Sequence, residues 1–442
     1  GTKVPYHIEP TPNYLRLPPR CGLTVPHTLD TIYKQFYRLY IRLFSIMNVL
    51  KIYFDHLKMF DDGIFVLDLF AGDKVPREDE SAFELARPIY SNCLLALAGI
   101  NASGKTTALS LFELACRIIN GDPLGYRSPS SSLPSIFEGK THFKCLAYHE
   151  KNLYLLESTL EVIGGDAFIG PRGHRLSFGE ERILWAPSSK IKKHMLSSWD
   201  ELSGACVEKI RRSTVDGSWA KLLTQDVSIF AAALASDAGH RNRVITTRGG
   251  TALHLDEGFS GLDDILRVFD PNIEHLEVQD FGRVFKLTFV GREPLVLSAE
   301  GLGEVLSSGT IRGLELTQQS MHVLRYGGYL LVDEIENHLN RQLVDVIIDL
   351  FASAATNPRG ATLVFTTHYP QVLDHIHRKD NVFFLARQGN GLSRIVKYSD
   401  RVKRIENKKS EVFSSNYVKG TAPRFMDVHT LKRLVERSVT HV

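Results

Sequence analysis

The chain has 442 residues, 43% of them hydrophobic and 23% charged, and its 53 basic against 50 acidic side chains leave a formal net charge of +3. It reads as an ordinary soluble globular protein with room for two or three lobes, and nothing in that balance demands nucleic acid. Five widely separated cysteines (Cys21, Cys93, Cys116, Cys145, Cys206), odd in number and without a C-x-x-C pair, exclude a disulfide framework and a cysteine zinc site and point to a reducing compartment, with cytoplasm the default. No apolar run approaches the roughly 20 residues of a membrane span, and the start of the chain, with Pro5, Pro10 and Pro12, lacks a signal-peptide core, so no membrane domain is expected.

In chain order, residues 1 to about 27 are rich in proline and polar turns. From Thr28 to Met47, apolar and aromatic positions such as Leu29, Ile32, Phe36, Leu39, Leu43 and Phe44 follow helical spacing, which predicts an amphipathic helix packed on the core or turned to a partner. Asn48 to Phe70 reads as a β-hairpin around Asp61-Asp62-Gly63, with Ile52, Phe54, Ile64 and Val66 inward. Leu94 to Ala98 is a buried strand, and a helix is expected from Thr107 to Ile119. Gly121 to Gly139 is a Ser/Pro/Gly loop, His142 to Gly170 suggests antiparallel strands, and Pro187 to Trp219 reads as mainly helical. Strands return after about Val278, and a helix from Leu306 to Arg325 stops at Gly327-Gly328. Then come a strand from Tyr329 to Val332, a helix from about Arg341 to Ala355 and a strand from Ala361 to Thr366. Such alternation is the mark of a parallel sheet with helices on its faces, the two ends of the chain building one sheet around an inserted lobe.

Between the first buried strand and its helix lies Gly99-Ile100-Asn101-Ala102-Ser103-Gly104-Lys105-Thr106-Thr107, which fits G-x-x-x-x-G-K-[ST]. Glycines there let successive backbone N–H groups turn inward around a β-phosphate, Lys105 reaches β/γ oxygens, and Thr106 offers a hydroxyl to Mg²⁺. The helix that follows aims its positive end at the same anion. Tyr329-Leu330-Leu331-Val332-Asp333-Glu334 is an apolar strand ending in two carboxylates, where Asp333 would act on the Mg²⁺ shell and Glu334 would polarise attacking water. Glu336 either supports one of these roles or is a solvated acid at a helix start. Ser307 and Gly309, in Leu306-Ser307-Ser308-Gly309-Thr310, could offer Oγ and N–H to a phosphate from a helix N-terminus, or simply cap it. His368 follows the last apolar strand at the same sheet edge.

These pieces together resemble the ABC-type ATPases of the SMC/RecF and OLD group, from about Asn48 to Pro423. The loop resembles that group's G-x-N-A-S-G-K-[ST], with Ala102 where transporter ATPases carry glycine. Leu306 to Thr310 is similar to its variant of the ABC signature, and Asp333 to Asn340 resembles D-E-P-E-x-x-L-H, departing from it at Ile335 and Asn340. His368 falls on the switch histidine, and Ser415-Asn416-Tyr417-Val418-Lys419-Gly420 echoes a C-terminal stretch of these proteins. Gln225, ahead of a helical run from Ser228 to Ala235, is a candidate for the glutamine loop or a surface residue.

The resemblance implies an α/β fold: a P-loop ABC-type ATPase head with a mixed β-sheet core and an inserted α+β/helical lobe. The expected divisions are an N-terminal arm and helix over 1–47, a first head part over 48–140, the lobe over 141–277, a second head part over 278–400 and a basic helical segment over 401–442. It also implies ATP and Mg²⁺ as ligands, with Lys105, Glu334 and His368 catalytic, Thr106 and Asp333 on the metal, and Gly99, Asn101, Ala102, Ser103, Gly104, Lys105, Thr106 and Thr107 around the phosphates. Ser307 and Gly309 would close the site from a second copy in a head-to-tail homodimer or larger homo-oligomer.

OLD-type nucleases carry a metal-binding Toprim domain after the ATPase, and residues 369–442 are too few for one. The expectation is a stand-alone ATPase that works with a separate nuclease or toxin effector, as in Septu PtuA-like and PARIS AriA-like anti-phage ATPases. A RecF-like ATPase that binds DNA and a nucleotide-dependent scaffold without turnover are the alternatives. The basic run Arg401, Lys403, Arg404, Lys408 and Lys409 could touch nucleic acid or an acidic partner, or form a solvated helix face.

Overall fold

The computed structural model describes residues 47–124, 133–164, 175–215, 221, 223–230, 243–247, 261–402, 407–422 and 425–440. The chain divides into units 1–43 and 44–442, and every described residue lies in the second. The helix expected over Thr28 to Met47 falls outside them except for Met47.

The first strands are β1 (Asn48–Phe54), β2 (Phe65–Asp68), β3 (Ala82–Ala86), β4 (Ile89–Asn92) and β5 (Leu94–Gly99), followed by helix α1 (Lys105–Asn120). After β6 (Lys140–His149), β7 (Asn152–Ile163) and β8 (Arg175–Pro187) come α2 (Trp199–Ala205), β9 (Val207–Arg211) and β10 (Val244–Thr247). Next are α3 (Leu262–Phe269), β11 (Ile273–Gln279), β12 (Val284–Phe289), β13 (Leu295–Ser298), α4 (Ala299–Val305) and α5 (Ser308–Tyr326). The chain continues through β14 (Tyr329–Val332), α6 (Arg341–Ala352), β15 (Thr362–Thr367), β16 (Val382–Arg387) and β17 (Ser393–Lys397) to α7 (Tyr398–Arg401), α8 (Lys409–Ser414) and α9 (Phe425–Thr440).

Two six-stranded sheets organise these elements into a mixed α/β fold. One, in the order β10-β14-β15-β5-β16-β17, is parallel from β10 through β16 and closes with antiparallel β17. All six residues of β5 are buried, as a central parallel strand covered on both faces requires. Its alternate side chains enter different cores. Leu95 and Leu97 pack with α1 and the second sheet, whereas Leu94, Ala96 and Ala98 pack with α5, α6 and the segment around Val372. The second sheet, β2-β1-β6-β7-β8-β9, is antiparallel. Helix α1, bearing Leu109, Phe112 and Cys116, belongs to the core that both sheets share. A buried hydrogen bond ties the sheets together across it: the Tyr329 hydroxyl accepts from the Val49 amide at 2.7 Å, with the Phe112 ring edge-on to Tyr329.

The stretch expected as a lobe, 141–277, contributes strands to both large sheets. Strands β6 to β9 extend the sheet begun by β1, and β10 is the edge strand of the parallel sheet; among the described residues α3, β11, β12, β13 and α4 form a satellite with its own small core around Leu266, Phe285 and Leu287. The boundary expected at 277/278 cuts through β11. The described part of the stretch expected as mainly helical, Pro187 to Val215, holds less helix than expected: short 3₁₀ turns and α2 give way to β9, and Ile191, Leu196 and Leu202 cover the outer face of the antiparallel sheet. In β2 the inward residues are Phe65 and Leu67 while Ile64 and Val66 are half-buried, because the turn ends one residue later than the alternation suggested and a one-residue slip exchanges faces. Cys93, Cys116, Cys145 and Cys206 are free thiols, and burial pushes Cys93 up to about 12 and Cys206 to about 11. Among the described residues no helix is long and apolar enough to cross a membrane.

Candidate active site

Three neighbouring parallel strands deliver the site. Strands β5, β14 and β15 end side by side, so the loop after β5, the carboxylates after β14 and His368 after β15 share the carboxyl edge where open α/β sheets bind ligands. The loop turns through left-handed backbone at Ala102 (φ 61°) and Gly104 (φ 88°), and Gly104 precedes the first residue of α1. Gly99 must be glycine for space: a Cβ there would stand 2.2 Å from the Ser103 hydroxyl and 2.8 Å from the Leu385 carbonyl. The first turn of α1 carries no acidic residue of its own, so its positive end is left to groups outside the helix. The loop's tip is held from β16, where an Arg387 guanidinium nitrogen donates to the Ala102 carbonyl. Arg387 is itself braced by the C-terminal stretch noted in the sequence. Its amide donates to Gly420 O at 3.0 Å, and a Cβ on Gly420 would meet the Arg387 carbonyl at 2.2 Å.

Lys105 is 7% exposed, and its ammonium donates to the carbonyls of Gly99 and Ile100 at 3.0 and 3.1 Å. Burial pulls its pKa below the usual lysine value, against the attraction of Glu334, Asp333 and Glu336. The Thr106 hydroxyl donates to Asp333 Oδ2 at 2.7 Å, joining the loop to the acidic strand end. The other carboxylate oxygen, Oδ1, accepts from the Thr366 hydroxyl at 2.6 Å, and that hydroxyl in turn accepts from the Glu334 amide at 2.7 Å. Asp333 N donates to Thr247 O and Ile335 N to Thr366 O, each at 3.1 Å, so the carboxylates sit on an extension of the sheet. Glu334 adopts φ 51°, a left-handed conformation that costs a non-glycine residue about 1–3 kcal/mol and is held here by its neighbours.

Glu336 is buried rather than a solvated acid. Its Oε1 accepts from the His368 amide at 2.8 Å and lies 2.9 Å from His368 Nδ1, to which no hydrogen bond is formed. The His368 ring is one-third exposed and stands edge-on to Tyr369, with centroids 4.5 Å apart. Both departures from the D-E-P-E-x-x-L-H pattern have structural uses. Ile335 is fully buried in the core against α6, and Asn340 caps that helix by accepting from the Leu343 amide at 3.0 Å.

Ser307 caps α5, its hydroxyl accepting from the Thr310 amide at 3.0 Å and lying 2.8 Å from the Thr310 hydroxyl, and the residue is exposed. Gly309 lies on the turn after the acidic strand, where a Cβ would come 2.6 Å from the His338 carbonyl. Among the described residues no hydrogen bond joins either one to the loop at 99–107. Gln225 sits elsewhere: its carbonyl accepts from the Phe178 amide of β8 at 2.7 Å, and the helical run expected from Ser228 continues beyond the described residues at 230. Of the basic run, Lys409 is buried, its ammonium donating to Ile376 O at 2.6 Å; Arg401 and Lys408 are exposed, and Lys403 and Arg404 lie outside the described residues.

The residues that sequence reasoning did not single out are Thr366, Thr247 and Arg387. Thr366 was visible as a hydroxyl at a strand end; Arg387 carried no signal, since its role comes only from β16 lying beside β5.

Residues 225–374, about a third of the chain, match a family model described as "AAA domain, putative AbiEii toxin, Type IV TA system". That stretch includes Ser307, Asp333, Glu334 and His368 and begins after the loop at 99–107. No curated protein matches the sequence. Among solved structures, the Smc head domain with an extended coiled coil bound to the C-terminal domain of ScpA, from Pyrococcus furiosus, is 10% identical, with 79% of this chain and 96% of that one covered at a TM-score of 0.35, a likeness too distant to bear on function.

Proposed function

We propose that this chain is an ABC-type ATPase subunit that binds MgATP on the loop at 99–107, hydrolyses it with Glu334, and uses closure of a head-to-tail dimer to hold or activate a separate nuclease or toxin effector. The observation that carries the reading is the Thr106–Asp333 contact at 2.7 Å, which couples the phosphate loop to the acidic strand end. A hydroxyl and a carboxylate presented together are the oxygen donors that Mg²⁺ prefers. The bound Mg²⁺ would neutralise charge developing on the phosphate oxygens.

The remaining work falls to the chain's own side chains. Lys105 exchanges its loop carbonyls for phosphate oxygens, and the N-terminal end of α1 faces the same anion. Thr366 fixes Asp333 and the Glu334 backbone together, so that the Glu334 carboxylate accepts a proton from water aligned with the γ-phosphate. His368, oriented by Glu336, contacts the γ-phosphate side. Ser307, exposed at the start of α5, and Gly309 close the nucleotide of a second copy and exclude solvent. ATP then acts as a switch, because its γ-phosphate alone contacts both halves of the closed state.

The matched family's description, a putative AbiEii toxin of a Type IV TA system, supports a toxin–antitoxin setting without naming a separate effector. Affinity purification with the products of the adjacent genes left untagged is expected to bring down one of them in an ATP-dependent complex. Turnover by the isolated chain that DNA stimulates several-fold, with no such companion, would favour a RecF-like repair role instead.

A further inference from the structure

One corner of the antiparallel sheet, which the ATPase reading does not use, gathers Asp55, His56 and His142. Asp55 and His56 follow β1, and His142 is the third residue of β6, 87 positions from Asp55. Two backbone hydrogen bonds and one from backbone to carboxylate clamp the two segments. Asp55 N donates to His142 O at 3.2 Å, His142 N donates to Asp55 Oδ1 at 2.7 Å, and Glu138 N donates to His56 O at 2.8 Å, where His56 holds φ 51°.

The side chains converge on one carboxylate. His56 Nδ1 lies 2.7 Å from Asp55 Oδ1 and His142 Nδ1 lies 2.9 Å from Oδ2, with the imidazole centroids 5.8 Å apart. One ligand atom from each residue lies within 4.8 Å of the others. Asp55 is largely buried, whereas both imidazoles are about half exposed and free to adjust. Asp55 and His142 also line the edge of a cleft of about 880 Å³ whose walls include Lys144, Arg182 and Arg212.

We infer that Asp55, His56 and His142 form a binding site for a Zn²⁺-class divalent cation, with a remaining coordination position open to water at the rim of this cleft. Two imidazoles and a carboxylate suit Zn²⁺, Co²⁺ or Ni²⁺ far better than Mg²⁺, which prefers oxygen donors, so the site is chemically distinct from Thr106 and Asp333. Three protein ligands plus an open position is the pattern of accessible zinc sites rather than closed structural ones. Binding through the two Nδ1 atoms places each imidazole proton on Nε2, and the cation replaces the direct Nδ1 contacts with Asp55. The oxygen–nitrogen contacts then widen to roughly 3.3–3.5 Å, the edge of a tetrahedron built on metal–ligand bonds of about 2.1 Å. Exposed imidazoles reach that spacing by small side-chain rotations.

The test is metal titration of the full chain in excess Mg²⁺, with Co²⁺ followed by visible absorption and Zn²⁺ by calorimetry. Wild type is expected to take up one equivalent at micromolar concentration. His56→Gln and His142→Ala should each weaken uptake at least about 10-fold, and Asp333→Asn should leave it unchanged. His56→Gln keeps the experiment decisive should His142→Ala fail to fold, because the His56 ring is exposed. Absence of uptake by wild type, or uptake that both histidine variants retain, would overturn the assignment and leave a proton-bonded cluster only.

Discussion

Glu334→Gln is expected to lower phosphate release by about 10²- to 10⁴-fold, the range that general-base catalysis supplies, while ATP binding stays near wild type. Glutamine matches glutamate in size, so the left-handed backbone at this position and the hydrogen bond from its amide to Thr366 Oγ1 at 2.7 Å survive the change. What is lost is an oxygen able to take a proton from water. With binding intact and chemistry blocked, the variant should accumulate as an ATP-bound closed dimer, seen by light scattering as a doubling of mass that wild type shows only transiently. Single-turnover phosphate release beside equilibrium ATP binding separates the two effects. Wild-type turnover in this variant would assign the base elsewhere, with Glu336, two residues further along the chain, the next carboxylate to replace.

Lys105→Ala is expected to act on binding itself, weakening ATP by about 10²-fold or more. Hydrogen bonds to a charged group contribute about 1.5–3 kcal/mol each, and two such bonds to phosphate oxygens amount to at least two decades of affinity. The charge is held where folding alone would not place it. Burial lowers the pKa of Lys105, so the charged form is disfavoured in the folded chain relative to the unfolded one; at neutral pH this opposes folding, and the cost disappears only as pH rises through the lysine range. A residue that costs stability and faces three carboxylates is better explained by a ligand than by packing. Fluorescent-nucleotide titration checks the expectation, and unchanged affinity would remove the loop from the account.

The parts of this site that were legible in the sequence are those written in contiguous residues. Strand β5, helix α1, strand β14 and strand β15 each announce themselves by a buried apolar run with glycine or polar punctuation, and Lys105, Thr106, Asp333 and Glu334 sit at the ends of those runs. Contacts that depend on which strands become neighbours were not legible. Thr366 matters because β15 lies beside β14, Arg387 because β16 lies beside β5, and neither adjacency can be read from local periodicity. The same limit hid the pairing of β1 with β6, a strand from the stretch expected as a lobe. It also hid the Asp55, His56 and His142 cluster, whose members come from two segments that meet only through that pairing. Glu336 and Lys409 illustrate a second limit: a charged residue at an element boundary is normally solvated, and only the packed structure reveals that these two are buried with partners.

Whether the site is completed by a second copy can be measured by mixing two inactive chains. Lys105→Ala disables the loop and Ser307→Arg places bulk on the exposed start of α5; each alone is expected to hydrolyse almost no ATP. Once subunits exchange at equal concentration, half of the dimers are hybrids, and each hybrid holds one site built from the intact Lys105 of one chain and the intact Ser307 of the other. The account predicts that the mixture regains about a quarter of wild-type phosphate release. A mixture as inactive as its components, or a Ser307→Arg chain that hydrolyses ATP normally, would contradict it.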